Sequence, residues 1–180
     1  MSFASLALIC LIIPLMLISL IVKVTSKGPV IYWSTRVGQF NRTFLMPKFR
    51  TMHAGTPAIA SHLFKCPEAS VTRFGAFLRT SSLDELPQLW SIIKGDMSLV
   101  GPRPALFNQY DLIELRTLKG VNRLLPGLTG LAQISGRDDL SLFEKVEFDV
   151  IYLRNKSFFL DLKIIFLTVM KVIKRNNIRH

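Results

Sequence analysis

The sequence is short of acid. Twelve Asp and Glu stand against 23 Lys and Arg over 180 residues, a formal net charge of +11. That balance points to anionic partners: a membrane surface, phosphorylated substrates or nucleic acid. Cysteine is scarce too. Only Cys10 and Cys66 occur, and Cys10 stands inside an apolar run. This argues against a disulfide framework and for a reducing compartment. The three histidines, His53, His62 and His180, show no metal-ligand spacing, so no zinc site is expected. There is no Walker loop, no GxGxxG, no internal repeat and no low-complexity tract. The aromatic residues mostly sit in apolar runs rather than among basic ones, which speaks against nucleic acid.

Apolar residues are plentiful, at 49%, and mean hydropathy is +0.36. That excludes a disordered basic tail. The length suits one domain able to bury a core. No charged residue occurs from Met1 to Val22, and Lys23, Lys27 and Arg36 follow. A straight helix of that length, at about 1.5 Å per residue, could cross a hydrocarbon core of about 30 Å. The basic residues put its carboxyl side in the cytoplasm. No positive region precedes the run and no small-x-small site follows it, unlike a signal peptide. Pro14 breaks the run, removing a hydrogen bond to the Cys10 carbonyl. Two readings stay open: a kinked spanning helix, or a helix that bends at Pro14 and returns to the same face.

Beyond residue 25 the pattern predicts an α+β, mainly helical fold. Val30–Thr35 is β-rich, Gly38–Asn41 carries turn residues, and Thr43–Leu45 is apolar again, which predicts a short hairpin leading into Pro47–Met52. Residues 53–70 read as loop with a short helix. Residues 71–95 read as two helical pieces with a turn at Thr80-Ser81-Ser82. Gly95–Pro104 and Pro126–Gly136 read as loops. Residues 105–120, Leu140–Tyr152 and Phe158–Arg175 read as helices. In the last, Asp161, Thr168, Lys171 and Arg175 share one face. This is either a solvated stripe or, the reading preferred here, the headgroup-facing side of an interfacial helix.

The densest chemistry lies in Arg79-Thr-Ser-Ser-Leu-Asp84-Glu85-Leu-Pro87-Gln88. Ser82 and Glu85 fit a capping box. Pro87 instead favours a helix capped at Asp84, with the proline in its first turn. Asp84 would then lie at the positive end of a helix, which suits a nucleophile, a metal ligand or a plain cap. Lys48, Arg50, Arg79, Arg103 and Arg137 lie in or near loops, Arg103 between two prolines. Arginine's planar fork matches phosphate oxygens. An acidic pair ringed by such groups is equipment for phosphoryl transfer. A non-enzymatic scaffold holding anionic lipid is the rival reading; it leaves the acidic pair beside rigid arginine loops unexplained.

The chain resembles the bacterial sugar transferases, in particular the small monotopic phosphoglycosyl transferases. The resemblance rests on Ser26-Lys-Gly-Pro-Val30, Arg36-Val-Gly38, Lys48-Phe-Arg-Thr-Met52, Leu83-Asp-Glu-Leu-Pro-Gln-Leu89, Gly95-Asp-Met-Ser-Leu-Val-Gly-Pro-Arg-Pro104 and Pro126-Gly-Leu-Thr-Gly130, with Phe148-Asp-Val150 and Asp161-Leu-Lys-Ile164 downstream. It implies transfer of a phosphosugar from a UDP-sugar to undecaprenyl phosphate, with Mg²⁺ and two displacements, at the cytoplasmic face of the bacterial inner membrane. Asp84 would be the nucleophile and a metal ligand, and Glu85 its partner. Lys48, Arg79 and Arg103 would bind phosphate, with Arg50 and Arg137 near substrate. The resemblance also implies a re-entrant amino-terminal helix within residues 1–25, a membrane-associated catalytic domain over 26–180 with interfacial amphipathic helices, and contact with membrane lipids. The sugar, the downstream glycan and the oligomeric state, a homodimer included, stay open.

Overall fold

A computed structural model describes residues 11–53, 55–56, 70–136 and 139–176. Cys10, Cys66, Arg137 and most of the 53–70 segment lie outside them. Helix α1 runs Ile12–Thr25, β1 Ile31–Val37 and β2 Thr43–Phe49. Helix α2 spans Arg73–Ser81, a 3-10 helix Leu83–Gln88 and α3 Leu89–Lys94. Then come β3 (Ser98–Val100), β4 (Ala105–Leu106), α4 (Tyr110–Leu118), β5 (Gly127–Thr129), α5 (Leu131–Ser135), α6 (Leu142–Asn155) and α7 (Phe158–Asn176). One sheet has the order β2-β1-β4 and the other pairs β3 with β5. The mainly helical α+β expectation holds.

Two compact units divide the chain. The first takes the residues up to Ser34 with Leu45–Ile93; the second takes Thr35–Phe44 with the residues from Lys94 onward. In the first, α1 lays Leu15, Ile18 and Val22 against Phe49 and Leu78. Ile13, Met16, Leu17 and Leu20 on its other side are exposed. Pro14 sits in the first turn of α1, where a missing N–H costs nothing. The arm before it is outside the described residues. No helix among the described residues is long and apolar enough to cross a membrane.

The second unit holds the turn of the expected hairpin. Phe40 and Asn41 adopt positive φ of 54° and 60°. Docking secures that turn: Gln39 Nε2 donates to the Arg123 carbonyl at 2.8 Å and Asn41 Nδ2 to Thr117 Oγ1 at 3.0 Å. The two segments read as loops prove partly regular. Ser98–Val100 pairs in parallel with Gly127–Thr129, register Ser98↔Gly127 and Val100↔Thr129, and Leu131–Ser135 is helical. Gly101 and Gly127 permit this close approach, since a Cβ on Gly127 would collide with the Gly101 amide nitrogen. The segment from residue 105 starts as β4, and its helix begins only at Tyr110. β4 pairs antiparallel with β1, Val37↔Ala105 and Arg36↔Leu106.

Helix α7 corrects the orientation expected for its polar stripe. Asp161 accepts a hydrogen bond from the Tyr152 hydroxyl at 2.8 Å, Thr168 bonds Thr129 at 2.7 Å, and Lys171 Nζ donates to the Ile134 carbonyl. Ile164, between them, is fully buried. The stripe therefore grips protein. The apolar side, with Phe158, Phe159, Leu162, Phe166, Val169 and Ile173, is the exposed one. The Arg175 side chain is outside the description.

Beneath α4 and α6, Arg116 Nε and Nη2 both donate to Asp149 Oδ2, at 2.9 and 2.7 Å. Arg116 Nη1 donates to the Arg103 carbonyl at 2.8 Å, tying the Gly-Pro-Arg-Pro loop to this pair. Burial pushes the Asp149 carboxyl above the usual carboxylate range, against the pull of the guanidinium. Asp149 is 2% exposed and the Arg116 side chain 11%. Removing one charge strands the other. Asp149→Asn should therefore lower unfolding stability by about 3 kcal/mol, read as a lower midpoint in denaturant with an unchanged slope. An unchanged midpoint would contradict this account of the loop's anchor.

Candidate active site

The acidic pair sits in the first unit on a short helix whose placement is fixed from several sides. Its supports start at Thr51. The Thr51 carbonyl accepts from the Thr72 amide at 3.0 Å, and the Thr72 hydroxyl caps α2 by accepting from Gly75 N at 2.9 Å. Glycine at 75 lets the helix approach this strand end, because a Cβ there would strike the Thr51 carbonyl. Farther along α2, Arg79 Nε donates to Thr51 Oγ1 at 2.9 Å. The arginine is thus aimed by the residue that anchors its helix.

At Ser82 the chain turns sharply, with φ of 58°, in the left-handed region where a side chain is strained. The turn ends α2 and starts the 3-10 helix. The helix thus starts at Leu83 rather than at an Asp84 cap, and Ser82 caps it without a side-chain hydrogen bond. The capping box lies elsewhere, at Ser141 and Glu144. Pro87 is accommodated inside the 3-10 helix. Leu83 and Leu86 pack against the cluster of Ile18, Val22, Phe49 and Leu78. That anchoring leaves Asp84 buried, at 8% exposure, and Glu85 partly buried.

Strand β2 supplies the cation. Alternation along the strand buries Phe49 in the core and turns Lys48 the other way. Lys48 Nζ donates to Glu85 Oε1 at 2.7 Å, with both side chains largely buried. Of the residues expected from sequence, Lys48, Arg79, Asp84 and Glu85 lie in this unit, and among them a printed contact joins Lys48 to Glu85. Arg50 lies in the same unit. Its guanidinium covers Gly28 and donates to the Lys27 carbonyl at 3.2 Å, pinning the loop after α1. Arg103 belongs to the second unit, its carbonyl held by Arg116. One residue carries no signal in the sequence that marks it. Arg116 sits in a helix outside any motif.

The site offers a buried carboxylate, a second carboxylate one residue on, and ammonium and guanidinium groups in fixed positions. It lacks a preassembled metal cage: no cluster of three His, Cys, Asp or Glu occurs among the described residues. Such equipment suits substrates that bring their own charge.

The model of the bacterial sugar transferase family matches residues 1–175. The chain is 43% identical over 161 residues to the uncharacterized sugar transferase EpsL of Bacillus subtilis, covering 88% of this chain and 77% of that protein. It is 40% identical over 184 residues to the exopolysaccharide production protein ExoY of Sinorhizobium fredii, covering 94% and 81%. It is 43% identical over 182 residues to the UDP-glucose:undecaprenyl-phosphate glucose-1-phosphate transferase of Klebsiella pneumoniae, covering 93% of this chain but 38% of that longer protein. The chain belongs to the bacterial sugar transferase family. It is therefore an enzyme, a transferase of substituted phosphate groups, and the scaffold reading falls away.

The Lys48–Glu85 contact is testable apart from turnover. A double-mutant cycle with Lys48→Met and Glu85→Leu should give a coupling of about 1–3 kcal/mol, as for a hydrogen bond between charged, largely buried groups. A coupling near zero would mean that the pair does not orient the site.

Proposed function

We propose that this chain transfers a sugar 1-phosphate from a UDP-sugar to undecaprenyl phosphate, releasing UMP and forming undecaprenyl-diphosphate-sugar. The observation that carries the reading is the buried Asp84 beside Glu85, with Glu85 held by Lys48 at 2.7 Å. The activity for which the Klebsiella relative is named supports it.

In the first displacement an Asp84 carboxylate oxygen bonds to the β-phosphorus. The bond from that phosphorus to the bridging oxygen breaks, and its electron pair leaves with UMP. In the second, an oxygen of the lipid phosphate bonds to the same phosphorus and the Asp84 oxygen departs, restoring the carboxylate. Both nucleophiles are anions, so neither step needs a proton removed. Burial of Asp84 strips its carboxylate of water and leaves a more reactive oxygen. Lys48 and Arg79 offset phosphate charge, and Arg103 is assigned the same role. Arg50 and Arg137 stay assigned near substrate. Asp84 and Glu85 fit Mg²⁺, which takes one or two carboxylates and completes its shell with substrate phosphates and water. When bound, it would supply neutralisation of diphosphate charge.

The chain works at a membrane in this reading. The apolar sides of α1 and α7 meet hydrocarbon and lipid headgroups at the cytoplasmic face. Helix α1 has 14 residues, about 21 Å at ~1.5 Å each, too short for a core of about 30 Å. The amino-terminal segment is proposed to enter, bend near Pro14 and leave by the same face. The initiating step of a surface glycan or glycoprotein fits such a product.

Two measurements test this. Asp84→Asn should keep its membrane location and fold but lose at least about 100-fold in UMP release, because an amide is a far weaker nucleophile; wild-type turnover by the variant would remove Asp84 from the mechanism. A lone cysteine placed at position 2 should resist a membrane-impermeant maleimide in intact cells and react after lysis. Labelling in intact cells would show a spanning segment.

A further inference from the structure

The Gly101–Pro104 loop, in the second unit, is held along its whole backbone. The Gly101 amide donates to the Thr129 carbonyl at 2.9 Å, and the Pro102 carbonyl accepts from the Gly127 amide at 2.9 Å. The Arg103 carbonyl accepts from Arg116 at 2.8 Å, and the Pro104 carbonyl from Arg36 Nη1 at 3.2 Å. The two prolines have no amide hydrogen to place. Gly101, Pro102 and Pro104 are buried, and Arg103 is the one residue of the four that is not. A backbone fixed so completely aims the side chain it leaves at the surface.

Two of those four bonds come from β5, a strand of three residues. So short a strand cannot fix its own height and angle. Pairing with β3, in the register Val100↔Thr129, gives it one hold. Helix α7 gives it a second, because Thr129 Oγ1 lies 2.7 Å from Thr168 Oγ1. A hydroxyl has one proton. Thr168 donates its own to the Ile164 carbonyl at 2.7 Å, so Thr129 is the donor in the pair. The bond back to Ile164 is ordinary for a helical threonine; the bond to Thr129 is not part of the helix. Beside the pair, Val100, Tyr152 and Ile164 form an apolar cluster. Apolar contact is non-directional and would let a short strand slide on the helix. A hydrogen bond of this length would not.

We propose that Thr168 of α7 is a positioning residue for Arg103: through Thr129 and Gly101 it sets where the guanidinium meets the diphosphate of the sugar donor. The inference rests on the phosphosugar-transfer reading above. Thr168 touches no substrate in this account. It acts by fixing the strand on which the arginine loop is hung. A paired arginine–phosphate contact is sensitive to such placement, since both bonds of the planar fork must align at once.

The test uses the full chain in native membranes and in detergent. Thr168→Val keeps the shape and removes the hydroxyl, Thr168→Ser keeps the hydroxyl, and Thr129→Val removes the same bond from its other end. Each is also combined with Arg103→Lys. Three quantities are read: UMP release from UDP-glucose, UDP-galactose and UDP-N-acetylglucosamine with undecaprenyl phosphate, the Tm, and the Tm rise given by UDP. In both Val variants kcat/KM for the sugar donor should fall roughly 10- to 100-fold per folded molecule, the effect of a small misplacement. Their UDP response should shrink, and Thr168→Ser should restore both. In the Arg103→Lys background, Thr168→Val should change kcat/KM by less than about twofold, because the residue it acts through is already altered. Wild-type kcat/KM in Thr168→Val overturns the proposal. So does a lowered Tm with unchanged turnover per folded molecule, or failure of both Val variants to fold, because the hydroxyl pair would then serve the fold alone. An undiminished effect of Thr168→Val on top of Arg103→Lys overturns it too. If the wild-type chain releases UMP from none of the three donors, the proposed reaction fails instead. The UDP response then decides Thr168: kept in Thr168→Val, it overturns the role; lost there and kept in Thr168→Ser, it supports the role.

Discussion

Placing a carboxylate out of water is the demand on which the first unit is organised. A buried acid is costly unless charge and hydrogen bonds meet it. Asp84 is buried because Leu83 and Leu86, on either side of the acidic pair, are fastened to the cluster of Ile18, Val22, Phe49 and Leu78. The rest follows from holding that helix still. Ser82 takes a strained backbone conformation to start it. Gly75 lets α2 touch Thr51. Thr51 then aims Arg79, and alternation along β2 sends Phe49 to the core and Lys48 to Glu85. Strain at one serine and a close approach at one glycine are thus costs of the site, carried by the core beneath it.

The second unit applies the same logic to a loop. Gly-Pro-Arg-Pro has few backbone donors and cannot hold itself by a regular ladder. Its Arg103 carbonyl is held by Arg116, and Arg116 is held by Asp149. In the same unit α7 reverses the usual arrangement of a helix at a water surface. Asp161, Thr168 and Lys171 bond to protein, and phenylalanines face outward. Such a face is stable where the surroundings are themselves partly apolar, which is why contact with lipid is proposed for it.

Sequence shows the elements with strong local signals. The hairpin is legible from its β-rich run and turn residues, and the break near Ser82 from its polar run. Helices α6 and α7 are legible from length and composition. Strands β3 and β5 are not, because three residues carry no period and their partner lies far along the chain. The 3-10 start at Leu83 is hidden because Pro87 excludes an α-helix capped at Ser82 but tolerates the tighter form. The inward turn of the α7 stripe is hidden as well, because spacing shows that residues share a face, not whether that face meets solvent or protein. In the site, residue types name Lys48, Arg79, Asp84 and Glu85 together. Only the fold shows that Lys48 reaches Glu85, 37 residues away, and that Arg50 pins a loop. Asp149 stands in the sequence as part of a motif, and its role as the anchor of Arg116 needs the packed structure.

The central claim is that Asp84 carries the phosphosugar between donor and lipid. Mass spectrometry tests it most directly: the full chain is mixed with a UDP-sugar in the absence of undecaprenyl phosphate, quenched in acid and digested. The account predicts a phosphosugar adduct on the peptide containing Asp84, lost when undecaprenyl phosphate is added before the quench and missing from Asp84→Asn. UMP release with no adduct on that peptide, or an adduct on another residue that persists in Asp84→Asn, would contradict it.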